Sequence, residues 1–220
     1  MARFDGNSLK IRVLSALLLA PAVLAVMYRG GWLFDALLAI AGVLALHEWY
    51  KMAVRSEKPI LFGGIGAVYI LFAFAGFYLL ERDVPVEGAP APFVLTLVIW
   101  ASDIGAYFFG KTIGGPKLAP KISPGKTWAG LSGAFVTPFL GLLIVHLLSG
   151  HMIGAALVFG AVGGVVGMLG QAGDLMISFF KRKVNVKDTG DLIPGHGGIL
   201  DRIDSFLLVS FLMFFVLALG

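Results

Sequence analysis

Long apolar segments alternate with short polar segments along the whole chain. A helix that crosses a bilayer needs roughly 20 mostly apolar residues. On that rule seven spans are predicted, near 11–28, 32–50, 60–80, 92–110, 128–148, 152–180 and 203–219. The pattern therefore predicts an all-α fold, namely a polytopic integral membrane protein with about seven transmembrane helices, in which 1–220 form a single membrane-embedded domain.

The sixth predicted span is long and rich in glycine. Its glycines recur at four-residue spacing, as in Gly160 with Gly164 and Gly163 with Gly167. Small residues at this spacing let helix backbones approach closely, so helix packing is the favoured role of these glycines. The pattern leaves open whether the segment is one tilted helix, a broken helix or two elements.

Composition supports the assignment to the membrane. The mean hydropathy is +0.91, 58% of the residues are hydrophobic and only 14% are charged, whereas a soluble domain of this length needs more polar surface. The chain has no cysteine, which excludes a disulfide framework and a thiolate nucleophile. The first apolar run, Val13 to Tyr28, is long for a signal peptide, so an uncleaved first helix is expected.

Basic residues indicate the orientation. Fifteen of the seventeen Lys and Arg residues lie in the N-terminal segment, 51–58, 111–127 and 181–202, whereas the alternate loops hold only Arg29 and Arg82. Cytoplasmic loops carry an excess of Lys and Arg. The N-terminus and both long polar loops are therefore predicted to face the cytoplasm, and the C-terminus the outside.

Charged residues concentrate in segment 173–205, which holds five of the thirteen acidic and five of the seventeen basic residues. Asp174, Ser178 and Lys181 recur at i, i+4 and i+7, so they share one face if the preceding apolar run is helical. The stretch LIPGHGG that follows cannot be regular helix. Candidate chemistry is therefore sought in this segment first.

Two further carboxylates, Asp201 and Asp204, would lie on one side of the first turn of the last helix. Capping and the helix dipole also favour such residues, but they do not explain Arg202 between them. Carboxylates within a span, here Asp103 and Asp174, are functional-site hypotheses by default, although each could instead pair with a lysine. Such carboxylates are suited to bind Mg²⁺ together with a polyphosphate ligand, because Mg²⁺ is usually held by one or two carboxylates and substrate phosphates.

The loop between the fourth and fifth spans is basic and rich in glycine and proline. These residues forbid a continuous helix, so an irregular loop is predicted to carry Lys111, Lys117, Lys121 and Lys126. Lysines and exposed backbone N–H groups in such a loop suit a triphosphate, although cytoplasmic loops are often basic for topological reasons alone.

Both polar segments resemble one family. The run S-x-x-K-R-x-x-x-x-K-D-x-G-x-x-x-P-G-H-G-G-x-x-D-R-x-D, from Ser178 to Asp204, resembles the signature of the phosphatidate cytidylyltransferases, the CDP-diacylglycerol synthases. Segment 103–127 is similar to the same family through an acidic-Gly-Ala-Tyr segment, a G-K pair and a K-L-x-P-x-x-S-P-x-K-T run. One departure is Ile177, where family members often carry a glutamate.

The resemblance implies the reaction CTP + phosphatidate → CDP-diacylglycerol + pyrophosphate, a nucleotidyltransferase step of phospholipid biosynthesis, in a bacterial inner membrane. It implies Mg²⁺ as cofactor; if the family glutamate binds a second cation in relatives, this protein must hold that cation with another group or function without it. The expected partners are CTP, phosphatidate and membrane lipids, without nucleic acid, and a homodimer agrees with the glycine-rich helix. Because the lipid phosphate is already anionic, neutralising two polyanions matters more than a general base.

On this resemblance the residues are assigned as follows. Metal ligands are expected at Asp174, Asp201, Asp103 and Asp204, and catalytic roles at Asp174, Asp201, Lys181 and Arg202. Substrate binding is expected at Lys111, Ser123, Lys126, Thr127, Ser178, Arg182, Lys187, Asp188, His196 and Gly197. His47 and Glu48, beside Trp49 and Tyr50, are interpreted as an interfacial belt without a role in the site.

Two other functions stay open. One is a CTP-dependent transferase that acts on another lipid phosphate. The other is an anionic-lipid transporter, which inverted repeats would support, and no such repeat is visible in the sequence. The CDP-alcohol phosphotransferase pattern D-x-x-D-G-x-x-A-R is not met, because residues 201–205 read DRIDS.

Overall fold

A computed structural model describes residues 6–84, 88–192 and 197–219. Its elements, in chain order, are α1 (Gly6–Arg29), α2 (Gly31–Val54), α3 (Pro59–Asp83), α4 (Ala91–Thr112), β1 (Lys117–Ala119), β2 (Ser123–Thr127), α5 (Trp128–Leu148), α6 (Ile153–Lys183) and α7 (Leu200–Leu219). Helices α2 to α7 are long and apolar enough to cross a membrane, and in α1 the apolar stretch Leu17–Arg29 is shorter, as far as the described residues go. The all-α polytopic fold is thus confirmed.

The glycine-rich segment is one continuous helix. Helix α6 runs for 31 residues without a break, which settles the question that the sequence left open. The glycines with four-residue spacing face α5: a Cβ on Gly160 would lie 2.9 Å from the backbone oxygen of Phe139, and one on Gly167 would collide with the backbone oxygen of Ala134. The predicted packing role of these glycines is confirmed, because only the missing side chains allow this approach.

The prediction of an irregular loop for the four lysines was wrong in part. Lys111 lies in the last turn of α4, while β1 and β2 form an antiparallel hairpin in which Lys117 pairs with Thr127 and Ala119 with Ser123. Glycine and proline exclude a helix here, but they favour tight turns. Because one tight turn is enough to connect two antiparallel strands, the same residues are compatible with a short hairpin. The hairpin gives Lys126 a defined position just before α5.

The chain divides into two compact units. The first unit comprises Met1–Phe93, Lys181–Ile203 and Ser210–Gly220, and the second comprises Val94–Phe180 and Asp204–Val209. In the first unit α3 meets the second half of α7 so closely that a Cβ on Gly76 would collide with the backbone oxygen of Ser210. In the second, the buried hydroxyl of Ser102 donates to the carbonyl of Gly167 at 3.0 Å and ties α4 to α6.

Candidate active site

A cavity of about 430 Å³ lies in the second unit. Helix α4 supplies one wall with Asp103 and Lys111, and α6 supplies another with Gln171 and Asp174. The β2 strand adds Lys126. Two carboxylates and two ammonium groups that the sequence predicted as site residues therefore line the same cavity.

Hydrogen bonds and an ion pair link most of the polar side chains of the cavity into one continuous network. Lys126 Nζ lies 2.6 Å from Asp174 Oδ2 and also donates to Gln171 Oε1 at 2.8 Å. Gln171 Nε2 in turn donates to Asp103 Oδ1 at 2.7 Å. At the other end Ser178 Oγ donates to Asp174 Oδ1 at 3.1 Å, which confirms that Asp174 and Ser178 share one face of α6.

Gln171 was missed by the sequence reasoning. It is 6% exposed, and its amide joins a carboxylate from α4 to an ammonium from β2. The usable signal was its spacing: Gln171 and Asp174 are three apart on a helix and therefore share a face. A buried amide with both ends satisfied fixes the direction of the groups that it joins.

The two carboxylates that line the cavity, Asp103 and Asp174, offer oxygen ligands of the kind that Mg²⁺ prefers. Mg²⁺ in proteins is usually held by one or two carboxylates together with substrate phosphates and water. Asp103 supplies one such carboxylate from the α4 wall of the cavity, and Asp174 supplies another from the α6 wall. Within the described residues, no group of three or more His, Cys, Asp or Glu side chains is placed to hold a metal ion. The donor set fits a cation that is bound jointly with a phosphate ligand.

The other predicted residues of the second unit have local partners. Thr127, which lines the cavity, is the N-cap of α5, and its hydroxyl accepts from Gly130 N at 3.0 Å. Lys111 Nζ donates to the Tyr107 hydroxyl at 3.1 Å. Ser123 pairs within the hairpin. Asp204 is buried, and its Oδ1 accepts from Ser205 N at 2.7 Å.

The first unit holds a second polar cluster around the start of α7. Lys181 Nζ lies 2.6 Å from Asp201 Oδ1, and both side chains are less than a tenth exposed. Asp201 Oδ2 accepts from Thr189 N at 2.8 Å and from Gly198 N at 3.3 Å, and the Thr189 hydroxyl lies 3.1 Å from it. Asp201 lies in the first turn of α7, as expected. Its carboxylate therefore connects α6, the segment after α6 and the start of α7.

Glu48 also belongs to this cluster, and the interpretation of Glu48 and Trp49 as an interfacial belt was wrong. Glu48 is 4% exposed and accepts from the Thr189 hydroxyl at 2.7 Å and from Leu200 N at 2.9 Å. Trp49 is 2% exposed, and its indole N–H donates to the carbonyl of Phe62 at 3.1 Å. The cost of a carboxylate inside a span, applied above to Asp103, would also have singled out Glu48.

The remaining predicted residues of the first unit lie on its surface or outside the described part. Exposed side chains are found at Arg182, Lys187, Asp188 and Arg202, and Arg182 donates to the carbonyl of Val186 at 3.0 Å. Gly197 has φ +82, a conformation that favours glycine. His196 lies outside the described residues.

Comparison with known proteins agrees with this picture. The sequence profile of the cytidylyltransferase family matches residues 57–219. A phosphatidate cytidylyltransferase from Rickettsia bellii is 34% identical over 218 residues, which cover 96% of this chain and 91% of the relative. The protein of that name from Brucella suis is 34% identical, covering 90% of this chain and 70% of the relative. The protein of that name from Bacillus subtilis is 41% identical over 156 residues, which cover 70% of this chain and 57% of the relative.

Proposed function

This chain belongs to the cytidylyltransferase family, and on that premise we propose that it catalyses CTP + phosphatidate → CDP-diacylglycerol + pyrophosphate. The observation that carries the proposal is the similarity, along nearly the whole chain, to a phosphatidate cytidylyltransferase. The cavity that joins Asp103, Asp174, Lys111 and Lys126 supports it. Such a combination of cations and carboxylates suits a polyphosphate better than a neutral ligand.

The reaction is a substitution at phosphorus. A phosphate oxygen of phosphatidate forms a bond to the α-phosphorus of CTP, and the bond from that phosphorus to the bridging oxygen of the β-phosphate breaks. Pyrophosphate leaves with the electron pair of the broken bond. The attacking oxygen is already anionic, so the protein needs to hold the two polyanions together and to offset their repulsion.

Within the second unit we propose that Lys126 and Lys111 bind phosphate groups of CTP. Lys126 now has three acceptors, namely Asp174, the side chain of Gln171 and the carbonyl of Gln171. A phosphate oxygen can replace one of them without leaving the ammonium unsatisfied. Lys111, on the exposed rim, would contact the distal phosphates. Ser123, Thr127 and Ser178 are proposed as supporting polar contacts.

Asp103 and Asp174 would hold Mg²⁺, since they are the carboxylates of the cavity. When bound, Mg²⁺ neutralises phosphate charge and polarises the phosphoryl group. Asp174 Oδ1 is oriented by Ser178, and Asp103 is oriented by Gln171. Asp204 is proposed as a supporting carboxylate. The side chain of Ile177 is a hydrocarbon without a ligand atom, so a second cation would need another group.

In the first unit we propose that Lys181, Arg182, Lys187 and Arg202 contact lipid or nucleotide phosphates. Asp201 could act as a metal ligand only by giving up its contact with Lys181, because its other oxygen already accepts from the amides of Thr189 and Gly198. Asp188, His196 and Gly197 are proposed as substrate contacts of the same segment.

We also propose the bacterial inner membrane as the location, with the N-terminus and the basic loops in the cytoplasm and the C-terminus outside. The proposal follows from the distribution of Lys and Arg and from the need to reach cytosolic CTP and a lipid headgroup at once. Residues 1–220 would act as one catalytic domain, and a homodimer is the proposed assembly.

The function is tested with purified protein in mixed micelles that contain phosphatidate, CTP and Mg²⁺. We expect CDP-diacylglycerol and pyrophosphate in equal amounts, and Asp174→Asn is expected to abolish turnover without loss of expression. The control is Asp35→Asn, which alters an exposed ion pair with Arg82 at 3.0 Å and should keep normal turnover. Product formed only with another lipid phosphate, or phosphatidate flux without CTP, would reject the proposal in favour of the two alternatives.

A further inference from the structure

Glu48 is a buried carboxylate near the end of α2. Its hydrogen-bond donors are one hydroxyl and two backbone amides: Thr189 Oγ1 at 2.7 Å, Ile199 N at 2.9 Å and Leu200 N at 2.9 Å. None of these donors carries a charge. A buried carboxylate is costly in a membrane protein unless its hydrogen bonds are made, so this arrangement of neutral donors must be well ordered to hold it.

Two of the donors are the amides of Ile199, just before α7, and of Leu200, its first residue. The helix begins at Leu200, and amides at a helix start have no acceptor within their own helix. Glu48 supplies that acceptor from α2, and a negative charge at this end is also favoured by the helix dipole. The start of α7, immediately before Asp201, is thus fixed by a residue about 150 positions away.

The third donor connects Glu48 to Asp201. The Thr189 hydroxyl lies 2.7 Å from Glu48 Oε2 and 3.1 Å from Asp201 Oδ2. It has only one proton, so donation to Glu48 leaves Asp201 Oδ2 with the amide of Thr189 as its shortest contact. The two carboxylates therefore share one orienting group.

Two glycines make room for this carboxylate. A Cβ on Gly198 would collide with the Thr189 hydroxyl and with Glu48 Oε2, and a Cβ on Gly190 would lie 2.8 Å from Glu48 Oε1. Both glycines belong to the signature-like run. Because these glycines have no side chain, the Glu48 carboxylate can lie against their backbone.

We propose that Glu48 is a positioning residue: its carboxylate holds Thr189 and the start of α7 together and thereby sets the position of Asp201 and Lys181 for a substrate phosphate. This inference rests on the proposed function, because the phosphate is that of CTP or of phosphatidate. Glu48 itself touches neither substrate. Its effect on the reaction is transmitted through the Thr189 hydroxyl and the amides of Ile199 and Leu200.

The first test is Glu48→Gln in the full chain, with amide hydrogen exchange at Ile199 and Leu200. The variant places an NH₂ group against one backbone donor, so exchange at that amide should rise about 10-fold or more, as for a lost bond to a charged acceptor. Asp35→Asn, at the opposite end of α2, should leave these amides unchanged. Exchange equal to wild type in Glu48→Gln would overturn the proposal.

The second test separates positioning from a loss of folded protein. A smaller folded fraction lowers the maximal rate and leaves KM unchanged, whereas displaced phosphate-binding groups raise KM for CTP or phosphatidate, here by about 10-fold, at the lower end of what supporting partners usually contribute. Faster exchange with unchanged KM for both substrates would reduce Glu48 to a structural residue and overturn the proposal.

Thr189→Val provides the second variant in case Glu48→Gln does not fold. It removes only the shared hydroxyl, and it should raise the same KM. In Glu48→Gln/Thr189→Val the two effects should be less than additive, because both changes act through the same contact between residues 48 and 189; full additivity contradicts the proposal. The exchange measurement needs no turnover, so wild-type protein without CTP-dependent activity would refute the proposed function and leave the positioning test intact.

Discussion

Lys126→Met removes an ammonium group and keeps most of the side-chain length. In the structure Lys126 Nζ lies 2.6 Å from Asp174 Oδ2 and donates to both oxygens of Gln171 at 2.8 and 3.2 Å. The Lys126 side chain is 16% exposed and that of Asp174 is 30% exposed. The substitution therefore leaves a partly buried carboxylate without its cation.

Two different magnitudes follow from this geometry. Removing one partner of a fully buried pair costs about 3–5 kcal/mol of stability. Water screens Asp174 in part, so about 1–2 kcal/mol is expected here. The loss in kcat should be larger, about 100- to 1,000-fold or about 2.7–4 kcal/mol, as for removal of one group that stabilises transition-state charge.

The assay measures kcat and thermal unfolding of purified Lys126→Met in the same micelles. Lys121→Met is the matched control, because Lys121 is exposed in the turn of the same hairpin and does not line the cavity. The control should keep both kcat and thermal stability. If Lys126→Met and Lys121→Met lower kcat equally, the ammonium acts only through general surface charge, and the assignment of Lys126 to a phosphate is refuted.

Further predictions concern Gln171 and Gly198. Gln171→Leu removes the donor to Asp103 and should raise the Mg²⁺ concentration needed for half-maximal activity by about 10-fold; an unchanged Mg²⁺ titration would contradict a role for that amide. Gly198→Ala places a methyl group against the Thr189 hydroxyl and should cost about 1–3 kcal/mol in thermal unfolding. Gly64→Ala meets nothing within 4 Å and should not destabilise the protein, so equal losses in the two variants would refute the steric reason.

The amino-acid sequence by itself determined the helices and several contacts along them. Span length is a local property: a run of apolar residues either does or does not cover the bilayer, and the predicted segments 32–50 and 60–80 lie within α2 and α3. The contact between Asp174 and Ser178 also followed from helical periodicity, because the partners are one turn apart. Candidate site residues could be recognised by type, since carboxylates are rare in apolar segments.

Only the tertiary structure decided which partners the polar groups have. Glu48 reads as one polar residue among aromatic ones, and its hydrogen bonds to Thr189 and Leu200 join residues that are 141 and 152 positions apart. The placement of Gln171 between Asp103 and Lys126 likewise depends on the packing of α4, β2 and α6. Apolar length is encoded within a single segment, whereas a buried carboxylate is satisfied by whichever donors the fold brings to it from other segments.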